Sequence, residues 1–506
     1  MSHLESQSQH YNATNQRWWR LTALLRSHGV LLALLAGQYV IVQLLTGTLY
    51  GDAPRNLHWG LLTAEQPRFL LGAPDLYERI KGFRPDPEAL APLGLYRGPP
   101  GGLHPWWGPV VPLLFALIWV LTHSYTLLQL IVPIAGAGVV LLTYGMGRDL
   151  YGPRTALIAA AFMACFPLFR DYASTSYTEA LSALALAAAL LAYLRGRTLL
   201  TVLLGALAAL SKMDLLLLYF GAVGACALYA LIKRDRTLLP RHHAAALIGP
   251  ALIAAPWAWI HYLHSSGGPQ AAPSLGMFRI IAPQMLDLLF YIPWYGTLLV
   301  LAAIGVCVAL ALRVRTIPSL WMVLLGSWLA LGLVVLLVYA ATPGAGNSPR
   351  VIIPALPPLA LLFADGFTRM AAAWRRRIGF FLIVLFALIN SVTIGYYALQ
   401  GAELRSYAPV WAALREQPRG FVLTEKYWET ILYTRQPATW FEFDEEFQRN
   451  IMRNSANFAR YVEQNPIRYV VLPAQHGRLA SDDVYAYLNA HAQCANVGAY
   501  LVCSLR

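Results

Sequence analysis

Charged residues are scarce in this chain of 506 residues. They make up 12% of it, whereas a soluble globular protein carries about 25%. Hydrophobic residues reach 58%, and they are gathered in runs long enough to cross a bilayer. Backbone inside lipid must satisfy its own hydrogen bonds, and these runs are far longer than barrel strands. The composition therefore argues against a soluble protein and predicts a polytopic α-helical membrane protein.

Familiar catalytic signatures are missing from the C-terminal hundred or so residues. We find no Gly-rich phosphate loop, no metal-spaced set of His or Cys, and no serine elbow there. A cleavable signal peptide and an internal repeat are likewise not evident. The net charge of +13 could suggest a nucleic-acid partner, but the arginines stand in short clusters between apolar runs. That distribution follows the positive-inside rule of membrane proteins, so we expect no nucleic acid and contacts with membrane lipids instead.

Cysteine is rare, with five in the chain. Cys165, Cys226 and Cys307 lie inside apolar runs, where cysteine behaves as a small core residue. Cys494 and Cys503 flank a segment of the size of a short hairpin, and this spacing suits a disulfide. The alternative is two free thiols. We expect the disulfide if the C-terminal segment lies in an oxidising compartment.

The basic clusters predict the membrane topology. If all of them face the cytoplasm, an even number of spans must separate neighbouring clusters. The clusters are Arg148 with Arg154, Arg195 with Arg197, Lys233 to Arg241, Arg313 with Arg315, and Arg375 to Arg377. The apolar runs that fill the intervals are 155–170, 177–194, 198–211, 214–232, 244–262, 288–312, 318–341 and 351–368. A last span, 378–399, then places residues 400–506 outside.

The front of the chain contains one apolar run too many for this parity. The first span, 29–49, leads out, and two runs follow before the basic loop at Arg148. We assign 125–147 as a span and 106–122 as a helix on the outer face, where Trp106 and Trp107 suit the interface. This gives eleven spans, or twelve if 106–122 crosses. Residues 1–28 are then a cytoplasmic segment and 29–399 the membrane module, with 51–105 as its first external loop.

Residues 400–506 are predicted to form a small extracytoplasmic α/β domain. Phe421–Leu423 and residues 468–472 have the composition of strands, and 446–464 and 481–492 have that of helices. Polar stretches at 51–105, 170–179, 211–214 and 347–350 are expected on the same outer side. Spans nearly free of charge, with acids and bases gathered at one surface, favour chemistry at that surface. A transporter would more often carry charges at midspan.

Five short motifs occur in an order that resembles the GT-C superfamily of membrane glycosyltransferases. They are Gly51-Asp52-Ala53-Pro54, Leu103-His104-Pro105-Trp106-Trp107, Tyr177-Thr178-Glu179-Ala180-Leu181, Leu210-Ser211-Lys212, and the run from Arg350 to Leu359. The resemblance covers residues 29–370. The superfamily includes the protein O-mannosyltransferases and the lipid A aminoarabinose transferases. It implies an inverting transfer of one sugar from a polyprenyl-phosphate donor to a hydroxyl of a glycan, lipid or protein on the external face. The inner cell membrane is the expected location.

Asp52 is the candidate base for this reaction. A carboxylate titrates near pH 4, so it is ionised and can accept the proton of an attacking hydroxyl. The alternative role is a helix cap, because Asp52 precedes Ala53-Pro54, a favourable helix start. Both roles can coexist in one residue.

Lys212 and Arg350 are candidates for the donor phosphate, which pairs well with Lys and Arg. Their alternative role is to mark span ends by snorkelling. Arg55 and Arg170 are weaker candidates, since loop charges are common. Glu179 is expected to position the acceptor or hold a basic partner, and to pair with Arg170 or face solvent otherwise. His104 is expected to bond a sugar or the phosphate, or to make a structural contact.

No metal and no cofactor are required by this pattern. Asp52-Ala53 lacks the paired acids of a metal motif, although Asp52, Asp171 and Glu179 could form an outer divalent-cation site if the fold brought them together. The rival function from another class is a transporter of lipid-linked sugars or oligosaccharides. A scaffold whose outer domain binds a partner would leave the ordered loop motifs unexplained.

Overall fold

A computed structural model describes residues 28–47, 49, 53–65, 108–212, 214–264, 319–341, 349–439, 450–465, 467–475 and 479–505. Within these ranges the first part of the chain is helical, and a sheet with its own helices follows. The predicted spans 29–49 and 125–147 are helical over most of their length, whereas 288–312 lies outside the described residues.

The helices are labelled here in chain order. They are α1 (His28–Thr46), α2 (Ala53–Glu65), α3 (Val110–Thr122), α4 (Tyr125–Tyr151), α5 (Pro153–Cys165), α6 (Pro167–Ala173), α7 (Glu179–Leu194), α8 (Thr198–Ser211), α9 (Asp214–Ile232), α10 (His243–His264), α11 (Ser319–Ala341), α12 (Leu356–Arg369) and α13 (Ala372–Glu416). Short 3₁₀ helices cover Arg236–Leu238 and Pro349–Ala355.

Several of these helices are long and apolar enough to cross a membrane. In the part of the chain that the structure describes, five qualify by length and composition, or up to six if one bent pair counts as a span. Shorter apolar helices, such as Glu179–Leu194 and Thr198–Ser211, fall below that length. The protein is thus a helical membrane protein, and its span count stays a prediction.

The bent pair is α5 with α6, which meet at 64°. The sequence predicted a span over 155–170, and the structure has a bend within it. Phe166 stands before Pro167 and adopts an extended conformation (φ −64°, ψ 118°). The ring of a proline disfavours a helical conformation in the residue before it, so the chain breaks there and restarts with Pro167 at the first turn of α6. The break turns α6 away from the axis of α5.

Basic residues that the topology argument placed on one side do meet in the structure. Arg195 Nη2 and Arg148 Nε lie 2.8 Å and 3.7 Å from the carboxylate of Asp149. Arg375 Nη1 donates to the carbonyl of Thr368. We call this end of the bundle the arginine end, and the opposite end, next to residues 417–505, the sheet end.

The sheet has five strands in the order β2-β1-β3-β5-β4. The strands are β1 (Phe421–Leu423), β2 (Ala438–Thr439), β3 (Ile467–Pro473), β4 (Ala492–Val497) and β5 (Tyr500–Leu505), and helices α14 (Tyr427–Thr434), α15 (Ser455–Gln464) and α16 (Asp482–His491) connect them. β1 pairs parallel with β2 and β3, whereas β5 pairs antiparallel with β3 and β4. Cys494 and Cys503 stand opposite each other on β4 and β5 and form a disulfide.

Helix α13 joins the bundle to the sheet without a break. It packs so closely on the end of α1 that a Cβ at Gly401 would overlap the carbonyl oxygen of Thr46, and this contact requires glycine. Arg405 Nη1 donates to the same carbonyl at 3.1 Å. One hydrophobic core runs through both parts, since Tyr39 and Phe115 of the bundle and Tyr469 of β3 belong to it. The exit of the first span is therefore held by the helix that carries the sheet.

Helix α2 lies between the bundle and the sheet. Glu65 at its end forms an ion pair of 2.9 Å with Arg435, which follows α14. The neighbouring helix α4 bonds the same region, because Tyr125 donates to the carbonyl of Leu432 at 3.1 Å. Burial and the charge of Arg435 lower the pKa of His58 to about 3, so this buried imidazole is neutral. The helix falls within residues 51–105, the predicted external loop, and it begins at Ala53-Pro54, the helix start that the sequence offered.

Candidate active site

Four elements meet at the sheet end of the bundle around Glu179. The residue begins α7, and the turn after α8 brings Lys212 beside it. The 3₁₀ helix Pro349–Ala355 contributes Arg350, and α2 contributes Asn56. Residues far apart in sequence therefore converge at one end, as the topology argument predicted for Glu179, Lys212 and Arg350.

Glu179, Lys212, Asp214 and Arg350 form what we call the charged cluster. One oxygen of Glu179, Oε1, lies 3.7 Å from Lys212 Nζ and 3.4 Å from Arg350 Nε. Lys212 Nζ also lies 3.2 Å from Asp214 Oδ2. Glu179 is 3% exposed and Lys212 8% exposed, so water screens these ion pairs poorly. The guanidinium of Arg350 also lies 5.2 Å from the ring centroid of Tyr177.

The charged cluster is suited to holding an anion. An ammonium carries three N–H donors and a guanidinium five, and here the two cations lie side by side on one carboxylate oxygen. The two carboxylates balance the two cations in the free protein, which limits the cost of burying them. A phosphate that approaches Lys212 and Arg350 would meet donors already oriented by Glu179.

A small cavity lies next to the charged cluster. It is lined by Asn56, Trp59, Gly108, Val111, Pro112, Thr178, Ser211 and Lys212. Gly108 forms part of its wall by close backbone contact, since a Cβ there would overlap the carbonyl of Leu210. Asn56 Nδ2 donates to the carbonyl of Ser176 at 3.1 Å, which ties α2 to the loop before α7. The cavity thus lies between the loop that precedes Glu179 and the turn that contains Lys212.

Several buried polar side-chain atoms on α2, in the loop before α7 and in the first turn of α7 have no hydrogen-bond partner in the described structure. They are Asn56 Oδ1, Ser174 Oγ, Thr175 Oγ1, Ser176 Oγ, Glu179 Oε2 and Ser182 Oγ. Buried polar groups are normally paired, so such a concentration at one place calls for an explanation. It is what a binding site for a polar ligand requires.

Arg170 and Asp171 do not join the charged cluster. Arg170 is buried in α6, and its electrostatic neighbours are Tyr39 and Cys165. Asp171 accepts a hydrogen bond from the hydroxyl of Tyr397 on α13, both at its carbonyl, 3.0 Å away, and at its carboxylate. The expectation that Glu179 takes a basic partner is met by Lys212 and Arg350; the alternative pairing with Arg170 is wrong.

The remaining predicted residues divide into two groups. Arg55 stacks on Trp59 of its own helix, with 5.4 Å between the guanidinium carbon and the ring centroid. Asp52 and His104 lie outside the described residues, although α2 does begin at Ala53, directly after Asp52. Their roles stay predictions.

Sequence reasoning missed Asn56 and left Asp214 out of the candidate site. Asn56 stands four residues after Asp52, the spacing of one helical turn, but this signal has meaning only if a helix is expected there. Asp214 follows Lys212 by two residues at a predicted span end, where a charge is ordinarily solvated. Its pairing with Lys212 depends on the backbone of the turn.

Within the described ranges, no group of three or more His, Cys, Asp or Glu side chains could hold a metal ion. Asp52 lies outside those ranges, so the cation site that would include it stays a prediction.

A second cavity is apolar and lies between α5, α12 and α13, with a volume of about 380 Å³. We call it the apolar cavity. Its lining includes Phe162, Phe363 and Phe386, which pack on one another with ring centroids 4.3 Å and 5.9 Å from Phe162. Asn390 is its one polar side chain, apart from the thiol of Cys165. Its chemistry suits hydrocarbon.

Comparison with known structures identifies the fold. The chain is similar to ArnT from Cupriavidus metallidurans, with 14% identity and a TM-score of 0.58 for the form bound to undecaprenyl phosphate, and 15% and 0.59 for the apo form. The similarity covers 96% of this chain and 98% of that chain in both forms. The oligosaccharyltransferase of Archaeoglobus fulgidus is less similar, with 16% identity, 90% and 69% coverage and a TM-score of 0.47. No curated protein sequence matches the chain.

The fold is that of the GT-C superfamily, and the predicted enzyme class, a membrane glycosyltransferase, is confirmed. Residues 104–259 match the sequence model of the family described as dolichyl-phosphate-mannose-protein mannosyltransferase. The matched segment includes Glu179 and Lys212, whereas Asp52 and Arg350 lie outside it.

Proposed function

We propose that this chain is an inverting glycosyltransferase that moves one sugar from a polyprenyl-phosphate donor to a hydroxyl of a glycan, lipid or protein. The observation that carries the proposal is the charged cluster, in which Glu179 holds Lys212 and Arg350 side by side at one end of the bundle. The matched family is described by a dolichyl-phosphate donor, and ArnT of C. metallidurans was crystallised with undecaprenyl phosphate. Both names concern lipid phosphates, which two such cations suit.

In the proposed step, an acceptor oxygen attacks the anomeric carbon as the bond from that carbon to the phosphate oxygen breaks. Asp52 accepts the hydroxyl proton, and the electron pair of the broken bond stays on the lipid phosphate. Lys212 and Arg350 stabilise the charge that develops there. Because displacement is direct, the anomeric configuration inverts. Glu179 acts as a positioning residue, since it contacts both cations and would hold them in place before the donor arrives.

The donor's hydrocarbon tail needs an apolar surface next to this head site. The apolar cavity supplies one in the same bundle, since α12 follows directly from the 3₁₀ helix that carries Arg350. We propose that the isoprenoid chain uses it. A lipid-borne donor explains why one bundle contains both a charged cluster and a large apolar cavity.

For the location, we propose the inner cell membrane, with eleven spans and a cytoplasmic N-terminus. Residues 400–506 would then be an extracytoplasmic α/β domain, and the sheet end would be the outer end. The meeting of Arg148 and Arg195 at the opposite end supports this orientation through the positive-inside rule.

The decisive experiment measures transfer from labelled polyprenyl-phosphate sugars in right-side-out and inverted membrane vesicles, with an acceptor that cannot cross the membrane. We expect turnover only in right-side-out vesicles and an inverted product by NMR. Asp52→Asn should lose turnover by about a thousandfold or more while donor binding persists, because the amide cannot take up the proton. Asp149→Asn, at the arginine end, is the matched control and should stay active.

Full activity of the Asp52→Asn variant would eliminate the assigned base. Turnover confined to inverted vesicles would reverse the orientation. Net movement of intact donor without cleavage of the sugar–phosphate bond would instead favour the rival transporter.

A further inference from the structure

Asn56 lies at the contact between α2 and the loop before α7, and it is 4% exposed. Its amide nitrogen is anchored, since Nδ2 donates to the carbonyl of Ser176 at 3.1 Å. Within the described residues, its amide oxygen, Oδ1, is buried without a hydrogen-bond partner. The anchor fixes the side chain so that the acceptor atom has a defined position. A side chain held this way is prepared to accept a hydrogen bond that the described residues do not supply.

The surroundings of Asn56 indicate which kind of group would donate. The segment that Asn56 anchors contains the hydroxyls of Ser174, Thr175 and Ser176, each at most 1% exposed and without a hydrogen-bond partner among the described residues. A hydroxyl both donates and accepts, whereas a carbonyl or a carboxylate only accepts. A mixed set of hydroxyls with one amide oxygen therefore fits a partner that is itself a hydroxyl, and it fits a charged or apolar group poorly.

The cavity sets the size of that partner. It is closed by Trp59, Val111 and Pro112 and has room for about one water-sized group. A single hydroxyl can enter such a space, whereas a whole sugar ring would have to remain outside it. Lys212 lines the same cavity, so a hydroxyl held there lies next to the charged cluster.

We propose that Asn56, with the hydroxyl of Ser176, recognises a hydroxyl of the donor sugar next to the phosphate held by Lys212 and Arg350. This inference rests on the proposed function and adds a specificity-determining contact to it. It makes the sugar, rather than the lipid or the phosphate, the part of the donor that α2 selects.

The test compares the affinity of purified full-length protein for two probes, a sugar-bearing polyprenyl phosphate without acceptor and the same polyprenyl monophosphate without sugar. We expect Asn56→Ala to weaken the sugar-bearing lipid about tenfold, the size of one lost hydrogen bond, and to leave the bare lipid unchanged. Ser176→Ala, which removes one hydroxyl and keeps the backbone anchor, should weaken the sugar-bearing lipid about threefold. Lys212→Ala should weaken both probes.

Thr63→Ala is the matched control. Thr63 lies two turns further along α2, is 3% exposed, and its hydroxyl also has no partner among the described residues, but it neither lines the cavity nor belongs to the segment that Asn56 anchors. It should change neither affinity. Equal weakening of both probes by Asn56→Ala, or no change in either, would overturn the inference, and a lower melting temperature with an unchanged ratio of affinities would assign the cavity to a buried water.

Two further readouts separate the sources of failure. In turnover assays, Asn56→Ala should lower kcat/KM for the donor and leave the KM of the acceptor unchanged; a rise confined to the acceptor KM would assign the hydroxyl to the acceptor and overturn the proposal. Wild-type protein that binds bare polyprenyl phosphate but no sugar-bearing form would refute the proposed function itself. If the wild-type protein binds the sugar-bearing lipid and the Asn56→Ala variant binds it equally well, this inference alone would be refuted.

Discussion

The charged cluster with its small cavity and the apolar cavity lie in the same helix bundle, and their linings have opposite chemistry. The first contains buried ions next to a space of about one water, and the loop before α7 carries hydroxyls without a partner among the described residues. The second has about 380 Å³ lined almost wholly by aliphatic and aromatic side chains. Buried polar groups cost free energy unless they find partners, whereas an apolar cavity costs mainly lost packing. A ligand that satisfied both would need a polar head and a long hydrocarbon tail.

The largest effect is expected from the head site. Lys212→Met keeps most of the side-chain volume but leaves Glu179 and Asp214 without the ammonium between them. We expect kcat/KM for a polyprenyl-phosphate sugar to fall roughly a hundredfold, in line with the truncation of one partner of a buried charge pair. Steady-state transfer assays measure this.

Lys233→Met is its control, because Lys233 is exposed at the arginine end, where its ammonium lies 5.8 Å from the ring centroid of Tyr229. Equal losses in the two variants would mean that Lys212 acts through general membrane charge, and the difference between the two cavities would lose its functional meaning.

How much of this could be predicted from the sequence differs between the two regions. The parity of the spans predicted that Glu179, Lys212 and Arg350 lie on the same side of the membrane. Charges at the ends of apolar runs on one side must all lie near that surface. Their pairing on a single oxygen of Glu179 could not be predicted, because it depends on the backbone of three separate loops. The inward position of Arg170 was missed for the same reason.

The apolar cavity had no signal in the sequence. Phe162, Phe363 and Phe386 are ordinary apolar residues of three different spans, and only packing shows that they leave a gap. The bend before Pro167 did have a signal in the sequence, since a residue before proline avoids the helical conformation. The unbroken hydropathy of 155–170 outweighed it. Asn56 was missed because a helix after Asp52 was only one of two alternatives, and the spacing from Asp52 has meaning only in a helix.

A buried carboxylate in the sheet region sharpens the comparison, because it lacks the two cations that Glu179 has. Glu429 on α14 is 7% exposed, and burial raises its pKa from 4.5 to about 7. The charged groups that face it are Lys426, Glu403 and Glu425, so one cation serves three carboxylates. The carboxyl is therefore protonated below neutral pH and ionises just above it.

The sign of the pH effect follows from that direction. A carboxyl whose pKa is raised on folding contributes stability that is fully present below its unfolded pKa, near 4.5, and is lost as the pH rises through about 7. We expect the free energy of unfolding to fall by up to about 3 kcal/mol across this window. Thermal melts of the purified protein from about pH 5 to about pH 8 measure this loss of stability.

Glu429→Gln should remove most of this dependence, because the amide mimics the protonated acid, and Glu463→Gln on α15 is a control at an exposed carboxylate. An unchanged slope in Glu429→Gln would show that burial alone does not set the behaviour of carboxylates in this protein. The contrast drawn with Glu179 would then have no basis.

The smallest effect is expected in the apolar cavity, and here the chain supplies a closely matched pair of glycines on one helix. At Gly379 an added Cβ would lie 3.2 Å from Phe367 Cζ inside the cavity, whereas at Gly395 it would meet nothing within 4 Å. We expect Gly379→Leu to weaken a long-chain polyprenyl-phosphate donor about threefold, since the filled volume removes contacts worth a fraction of a kcal/mol each. A short-chain donor should bind as before, and Gly395→Leu should alter neither. If Gly379→Leu weakened both donors alike, the substitution would have disturbed α13 as a whole, and the tail would lie elsewhere. If head and tail occupy the two cavities separately, donor binding by the wild-type protein should depend on chain length, and binding by Gly379→Leu should not. The loss in Lys212→Met should then be the same for long-chain and short-chain donors.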